Sequence, residues 1–358
     1  MIKYKGMKIA IVAGGTGGHI YPAISLAEEL LKKGHELLFI GSNDRMEKDI
    51  IPEKGFNFVG LDVFTTRGSI IQKIKSVFSM IQAYFECKIL LQGYDVAIGF
   101  GNYISIPVML AASKLKLKTI IHEQNSFVGR ANRFLDKKTD LIIGSYEENL
   151  KQFKNKNIKI LGNPQSSKAL LLEKDESVLS KIGFDKNKNT VVIFMGSLGS
   201  SSINKILIEY FKMLDGSYQV VYAAGKNNYQ EAISSVKETN YLKIFEHIDG
   251  AAFMKNSTLL VSRAGATTIC EIEAIGIPAI LIPSPYVPNN HQFYNAKVLY
   301  DKKAALMIEE KDLSAELLFK TVSDIINNDS KKMEIIANAK KLSNPNVLED
   351  IVKEIENI

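Results

Sequence analysis

Gly14-Gly15-Thr16-Gly17-Gly18-His19 directly follows the apolar run Lys8-Ile9-Ala10-Ile11-Val12-Ala13. A strand that ends in glycines and then enters a helix lets backbone amides approach a phosphate. No Cβ blocks the approach, and the helix N-terminus carries partial positive charge. A phosphate cradle by itself does not require an imidazole. His19 sets a group that titrates near neutrality beside the anion, which points to proton transfer on a phosphorylated substrate. The other reading of His19 is a ring that only hydrogen-bonds phosphate or caps the helix, and both stay open. Thr16, Gly17 and Gly18 either supply amides to the ligand or form a simple tight turn.

A second device of the same kind occurs later. Val191-Val192-Ile193-Phe194-Met195 runs into Gly196-Ser197-Leu198-Gly199-Ser200, again a strand, a small-residue loop and a helix. Around the two devices, short apolar runs alternate with helical segments. In the first half these are 8–13, 36–40, 96–99, 119–121 and 141–143. In the second they are 190–195, 219–223, 243–245, 258–261, 279–282 and 304–308. Such runs predict parallel strands buried on both faces. The first helix is predicted to carry Pro22 in its opening turn and to stop at Gly34.

The fold class is therefore α/β, with two doubly wound units in tandem. The expected division is 1–162 and 163–344, with the join at Leu161-Gly162-Asn163-Pro164. An amphipathic helix over about 345–358 can pack back on the first unit. Ligands of such sheets sit beyond the carboxyl ends of the strands, so two facing units predict one cleft entered by glycine loops from both sides.

Composition limits the function classes. A chain of 358 residues suits two domains, and its net charge of +6 favours anionic partners without the strong basic patterning of a nucleic-acid-binding protein. Two cysteines, Cys87 and Cys270, give neither a disulfide framework nor a thiolate metal cluster. The N-terminus lacks the apolar segment of a signal peptide, and the uncharged run 96–113 is broken by glycines and Pro107, unlike a membrane span. A dinucleotide site needs an acidic residue at the end of the second strand, but this strand ends Phe39-Ile40-Gly41-Ser42. An oxidoreductase reading loses ground there.

With Tyr21-Pro22-Ala23, the first glycine loop resembles the opening of the MurG family. The likeness continues in the family's order. It runs through Asp44-Arg45-Met46-Glu47, Gly99-Phe100-Gly101-Asn102-Tyr103-Ile104-Ser105-Ile106-Pro107, His122-Glu123-Gln124-Asn125 and Gly196-Ser197-Leu198-Gly199. It ends with Ser262-Arg263-Ala264-Gly265-Ala266-Thr267-Thr268-Ile269-Cys270-Glu271 and Gln292-Phe293-Tyr294-Asn295-Ala296.

The resemblance implies a GT-B architecture and an inverting hexosyl transfer. N-acetylglucosamine would move from UDP-N-acetylglucosamine to undecaprenyl-diphospho-muramoyl-pentapeptide in a β-1,4 linkage, without a cofactor. It places the enzyme peripherally on the cytoplasmic face of an anionic membrane. His19 is then the catalytic base. Thr16, Gly17, Gly18, Asn125, Ser197, Ile248, Ala266, Thr267, Thr268, Glu271 and Gln292 are expected at the donor. Gly14, Gly15, Gly101, Asn102, Tyr103 and Ser105 are expected at the acceptor diphosphate. The helix opened by Gly265 points its dipole at the departing charge. Glu271 meets the ribose or is a solvated helix carboxylate, and Asn125 contacts the sugar donor or caps the next helix.

His122 and Glu123 lie at a strand's carboxyl end, where polar groups would reach the cleft. Being adjacent on a strand they point to opposite faces, which argues against joint metal ligation, and no Asp-x-Asp bridge occurs. No metal is expected.

The chain departs from the family pattern in three places. Asn163-Pro164-Gln165-Ser166 lacks the family's arginine, so Ser166 becomes an uncertain donor contact. His291-Gln292 replaces a pair of glutamines, and Asn102 stands where glycine is usual. These leave two alternatives: a GT-B transferase for another lipid, or a nucleotide-sugar-binding protein without turnover.

A lipid acceptor requires a membrane-facing surface. Arg67 to Leu91 interleaves Ile70, Ile71, Ile74, Val77, Phe78, Ile81, Tyr84 and Phe85 with Lys73, Lys75 and Lys88. This spacing fits a helix in the headgroup region of an anionic bilayer, or one packed on a core. The resemblance favours the membrane, with Lys114, Lys116 and Lys118 extending the basic rim.

Overall fold

The computed structural model of the chain describes residues 6–64 and 70–358, and at positions 70, 71 and 73 the backbone alone. Seven strands make the first sheet: β1 (Lys8–Val12), β2 (Glu36–Ser42), β3 (Phe58–Leu61), β4 (Val96–Gly99), β5 (Lys118–Glu123), β6 (Leu141–Gly144) and β7 (Ile158–Ile160). All pairs are parallel, in the order β3-β2-β1-β4-β5-β6-β7. The continuous apolar runs follow from helices on both faces. Ile9, Ile11, Ile98, Ile120 and Ile143 enter one core, while Ala10, Val12, Ala97, Ile121 and Ile142 enter the other.

β3 and β7 had no counterpart in the sequence reading. Both are edge strands with half-buried side chains, and Gly60 and Lys159 interrupt the apolar pattern on which that reading relies.

The second sheet contains β8 (Thr190–Phe194), β9 (Gln219–Ala223), β10 (Leu242–Phe245), β11 (Leu259–Ser262), β12 (Ala279–Leu281) and β13 (Leu306–Met307). It is also wholly parallel, in the order β10-β9-β8-β11-β12-β13. In each sheet the order reverses once, between β1 and β4 and between β8 and β11. The loops after those strands diverge from a switch point, the place where such sheets take ligands.

The chain divides into one unit of Met1–Ser167 with Asn346–Ile358 and another of Lys168–Pro345. The terminal helix Val347–Glu356 buries Val347, Ile351, Val352 and Ile355 in the core formed by the first sheet and helix α1 (Gly17–Lys32). Lys159 Nζ reaches Glu354 at 2.5 Å on the same surface.

In α1 the sequence expectation needs one correction. Pro22 is the sixth residue, in the second turn, where its missing N–H removes the bond to the Gly18 carbonyl. The other end agrees with it: Gly34, at φ +86°, donates to the Leu31 carbonyl at 2.9 Å and ends the helix.

Ile351 is fully buried in the first unit's core, so Ile351→Ala should destabilise that unit by about 2–5 kcal/mol. Urea unfolding followed by far-ultraviolet circular dichroism measures this, and an unchanged midpoint would mean the terminal helix adds nothing to that core.

Candidate active site

The β1–α1 loop is held by groups that the sequence did not single out for the purpose. Glu47 opens α2 (Glu47–Glu53) and is completely buried. Its carboxyl oxygens accept the Ser42 N–H at 3.1 Å and the Gly15 N–H at 3.0 Å. From the loop after β4, Asn102 Nδ2 donates to the Gly14 carbonyl at 2.8 Å, and its Oδ1 accepts the Tyr103 N–H at 2.6 Å. Ser105 is buried and donates its hydroxyl to the Gly101 carbonyl. Gly15, Asn102 and Ser105 thus engage these polar groups in bonds within the loops themselves.

The amides of Gly17 and Gly18 differ. They precede the first i→i−4 bond of α1, from Ile20 N–H to the Thr16 carbonyl at 3.2 Å, and so open onto the N-terminus. Thr16 occupies the N-cap position with extended backbone, but its hydroxyl makes no capping bond. It meets His19 Nδ1 at 3.0 Å instead. The ring lies over Gly101, where a Cβ would stand 3.4 Å from Nε2. Gly101 also has φ +89°, so its lack of a side chain matters for both backbone and neighbour.

His122 and Glu123, at the end of β5, are buried and do not reach outward as expected. His122 stacks on Phe100 with ring centroids 5.2 Å apart, and its Nε2 is 3.0 Å from the Gly162 carbonyl. Gln124 Nε2 donates to Nδ1 at 3.1 Å, which leaves Nε2 as the protonated nitrogen of a neutral ring. Burial lowers the His122 pKa to about 4, against the opposing bond to Gly162.

Glu123 accepts the N–H of Asn125 at 3.1 Å, that of Gly129 at 2.9 Å and Asn132 Nδ2 at 2.9 Å. Burial pushes its carboxyl up, and these bonds pull it back. Their joint work is to hold residues 125–129 ahead of α5 (Arg130–Leu135). Asn125 does not cap α5, whose N-cap is Gly129. Ser166 is likewise buried, with its hydroxyl on the Asn163 carbonyl at 2.8 Å, and offers no replacement for an arginine.

In the second unit, Ser197 and Leu198 are exposed on the β8 loop. The loop packs on residues 224–228: Lys226 N–H donates to the Ser197 carbonyl, and a Cβ on Gly225 would lie 2.7 Å from Gly199 Cα. Arg263 is buried beneath it. Its Nη2 lies 2.7 Å from both Ser200 Oγ and Glu310 Oε2, and Nη1 donates to the Ile282 carbonyl at 3.1 Å. The sequence reading gave Arg263 no role, although a lone arginine between a buried strand and a glycine loop was a readable signal.

The helix Ala266–Ile275 starts from Gly265 without a side-chain cap, and Thr267 and Thr268 lie in its first turn. The Thr267 hydroxyl is buried and has no hydrogen-bond partner among the described residues. Glu271 is half-buried one turn further on, and Ile248 is half-buried just before Asp249, the N-cap of the helix Gly250–Asn256. Gln292 Oε1 accepts the Ser284 N–H at 2.9 Å, leaving its amide nitrogen for other contacts. His291 is turned onto the Pro288 carbonyl at 2.8 Å, and burial lowers its pKa.

Helix α3 (Ile70–Leu90) packs Ala83 and Cys87 inward against α4 (Ser105–Lys114). Its other face exposes Ile74, Val77, Phe78, Ile81, Phe85 and Ile89, with Phe78 68% exposed. Tyr84 turns partly into the core, away from that stripe. Arg67 and the side chains of Ile70, Ile71 and Lys73 lie outside the described residues. Lys114, Lys116 and Lys118 are exposed at the amino edge of the sheet, remote from the glycine loops. Among the described residues no helix is long and apolar enough to cross a membrane.

Glu273, inside the helix Ala266–Ile275, is pushed up to about 8 by burial, with Lys302 opposing. Its folded pKa exceeds the unfolded value of 4.5, so the protonated form stabilises the fold. That contribution is complete below about pH 4.5 and is lost as pH rises through 8. Glu273→Gln should flatten the fall in thermal midpoint between pH 5 and 8, roughly the interval between the two values, in a melting series. An undiminished fall would assign the pH dependence elsewhere.

The chain matches the glycosyltransferase family 28 N-terminal domain over residues 9–143 and the family's C-terminal domain over residues 190–354. A Halothermothrix orenii protein named UDP-N-acetylglucosamine--N-acetylmuramyl-(pentapeptide) pyrophosphoryl-undecaprenol N-acetylglucosamine transferase is 37% identical, over 97% of this chain and all of its own. A protein of the same name from Listeria monocytogenes serovar 1/2a is 36% identical over 98% of this chain and 99% of its own. The crystal structure of Acinetobacter baumannii MurG shares the fold with a TM-score of 0.81 at 23% identity, covering 98% of this chain and all of that one. With two Rossmann-like parallel sheets of GT-B type and both family domains in order, the chain belongs to the MurG family of hexosyltransferases within glycosyltransferase family 28.

Proposed function

We propose that the chain transfers N-acetylglucosamine from UDP-N-acetylglucosamine to undecaprenyl-diphospho-muramoyl-pentapeptide, with inversion, as a peripheral enzyme on the cytoplasmic face of the cell membrane. The observation that carries the chemistry is the Thr16–His19 pair. When Nδ1–H donates to Thr16 Oγ1, the basic lone pair of the ring is on Nε2, the nitrogen that takes the proton in this reading.

The acceptor hydroxyl loses its proton to His19 Nε2 as its oxygen bonds to the anomeric carbon. The bond from that carbon to the UDP oxygen breaks on the opposite side, and UDP leaves with the electron pair. In this reading the first unit handles the acceptor and its proton. Gly17 and Gly18 supply amides to a phosphate, and Gly14, Gly15, Asn102 and Ser105 shape the loops around it.

The second unit handles the nucleotide. Amides of the β8 loop and the N-terminus of the helix Ala266–Ile275 stabilise the departing diphosphate. Glu271 serves the ribose, Ile248 the uracil and Gln292 the sugar, while Arg263 keeps the β8 loop in shape. The apolar stripe of α3, flanked by Lys75 and Lys88, is the surface that meets lipid. No nucleic-acid partner enters this reading.

Incubation with radiolabelled UDP-N-acetylglucosamine and the lipid-linked muramoyl-pentapeptide should give a labelled lipid. UDP binding without labelled lipid would favour a nucleotide-sugar-binding protein, and label on a different lipid would favour the other transferase. His19→Ala should lower kcat by roughly 10²–10⁴, whereas wild-type turnover would make His19 structural. The double variant Phe78→Glu with Ile81→Glu should reduce sedimentation with phosphatidylglycerol vesicles, and undiminished sedimentation would remove α3 from the membrane surface.

A further inference from the structure

Both polar ends of one peptide unit, Gly14–Gly15, are held by side chains. Its carbonyl accepts from Asn102 Nδ2 at 2.8 Å, and its N–H donates to Glu47 Oε2 at 3.0 Å. Each of these side chains is anchored again through its second oxygen or nitrogen atom. Glu47 Oε1 accepts from the Ser42 N–H at 3.1 Å, and Asn102 Oδ1 accepts from the Tyr103 N–H at 2.6 Å. The plane of the peptide is thus tied to the ends of β2 and β4 as well as β1.

Glycines make room for this arrangement. A Cβ on Gly14 would strike Glu47 Oε1, and one on Gly15 would strike Asn102 Nδ2. A Cβ on Gly41 would lie 2.7 Å from Glu47 Cγ. Gly15 has φ +84° and Asn102 φ +66°, and asparagine enters the left-handed region more readily than most side chains.

A peptide between two glycines is otherwise the easiest unit of the chain to reorient, because no Cβ on either side restricts it. Its rotation would carry Thr16 with it. Thr16 supplies the carbonyl that begins α1 and the hydroxyl that meets His19 Nδ1.

We propose that Glu47 and Asn102 are positioning residues that jointly clamp the Gly14–Gly15 peptide and so fix Thr16, the Gly17 and Gly18 amides and His19 for transfer. Neither residue touches substrate in this account. The inference rests on the proposed glycosyl transfer with His19 as the base.

Asn102→Asp keeps the acceptor for Tyr103 but sets a carboxyl oxygen against the Gly14 carbonyl. Glu47→Gln keeps the shape but turns an NH₂ toward one of its two amide donors. Steady-state kinetics of the full chain would be measured with UDP-N-acetylglucosamine and lipid-linked muramoyl-pentapeptide, beside thermal unfolding. Each single variant should lose on the order of 10- to 100-fold in kcat, the scale of a small misplacement of a reacting group. The KM for UDP-N-acetylglucosamine should stay within about twofold. The double variant should lose little more than the worse single one, since both act on the same peptide.

Wild-type kcat in the single variants would overturn the proposal, and so would losses that multiply in the double variant. An activity loss matched by a loss of folded protein, with kcat per folded molecule unchanged, would overturn it too. Asn102 is half-buried on a loop, so Asn102→Asp keeps the test decisive if Glu47→Gln does not fold. Failure of the unsubstituted chain to transfer would overturn the functional reading and this inference with it. Transfer by the unsubstituted chain with unaffected variants overturns this inference alone.

Discussion

A parallel sheet covered by helices on both faces can present chemistry only where its strands end. The middle positions of the inner strands are committed to one core or the other, as the alternation of Ile9 and Ile11 with Ala10 and Val12 shows. Both sheets obey this constraint, and both reverse their strand order once. The helices must diverge at the reversal, so the loops after β1 and β4, and after β8 and β11, have space for a ligand that no other part of either sheet can give.

Within that constraint, the two units organise their loops by different means. The first unit uses buried side chains that satisfy backbone amides. Glu47 and Glu123 each accept at least two such bonds, and Asn102 joins one loop to another. A buried acid without these partners would be costly, and a loop of glycines without them would have many conformations. The second unit uses an arginine. Arg263 spans Ser200, the Ile282 carbonyl and Glu310, linking the β8 loop to segments far along the chain. In both cases polar groups that resemble active-site chemistry serve geometry.

This explains what the sequence could and could not disclose. The inner strands were legible because burial on both faces leaves unbroken apolar runs, and β4 and β9 match their expected limits. The edge strands β3 and β7 were not, since half-exposed strands follow weaker rules. For the site, the positions of Thr16, His19 and the helix beginning at Ala266 were readable from glycine punctuation. The destinations of individual hydrogen bonds were not. His122, Glu123, Ser105 and Ser166 have polar side chains at a strand end or in the first turn of a helix, yet each turns inward to satisfy a main-chain group, which a one-dimensional pattern does not encode.

The central claim is that a base in the first unit drives an inverting displacement at the anomeric carbon of the donor. The configuration of the product tests it most directly. Proton NMR of the purified lipid product, made from α-linked UDP-N-acetylglucosamine, reads the anomeric configuration of the new linkage from its coupling constant. The account predicts the large trans-diaxial coupling of a β-linked sugar. A small coupling, denoting retained α configuration, would contradict it.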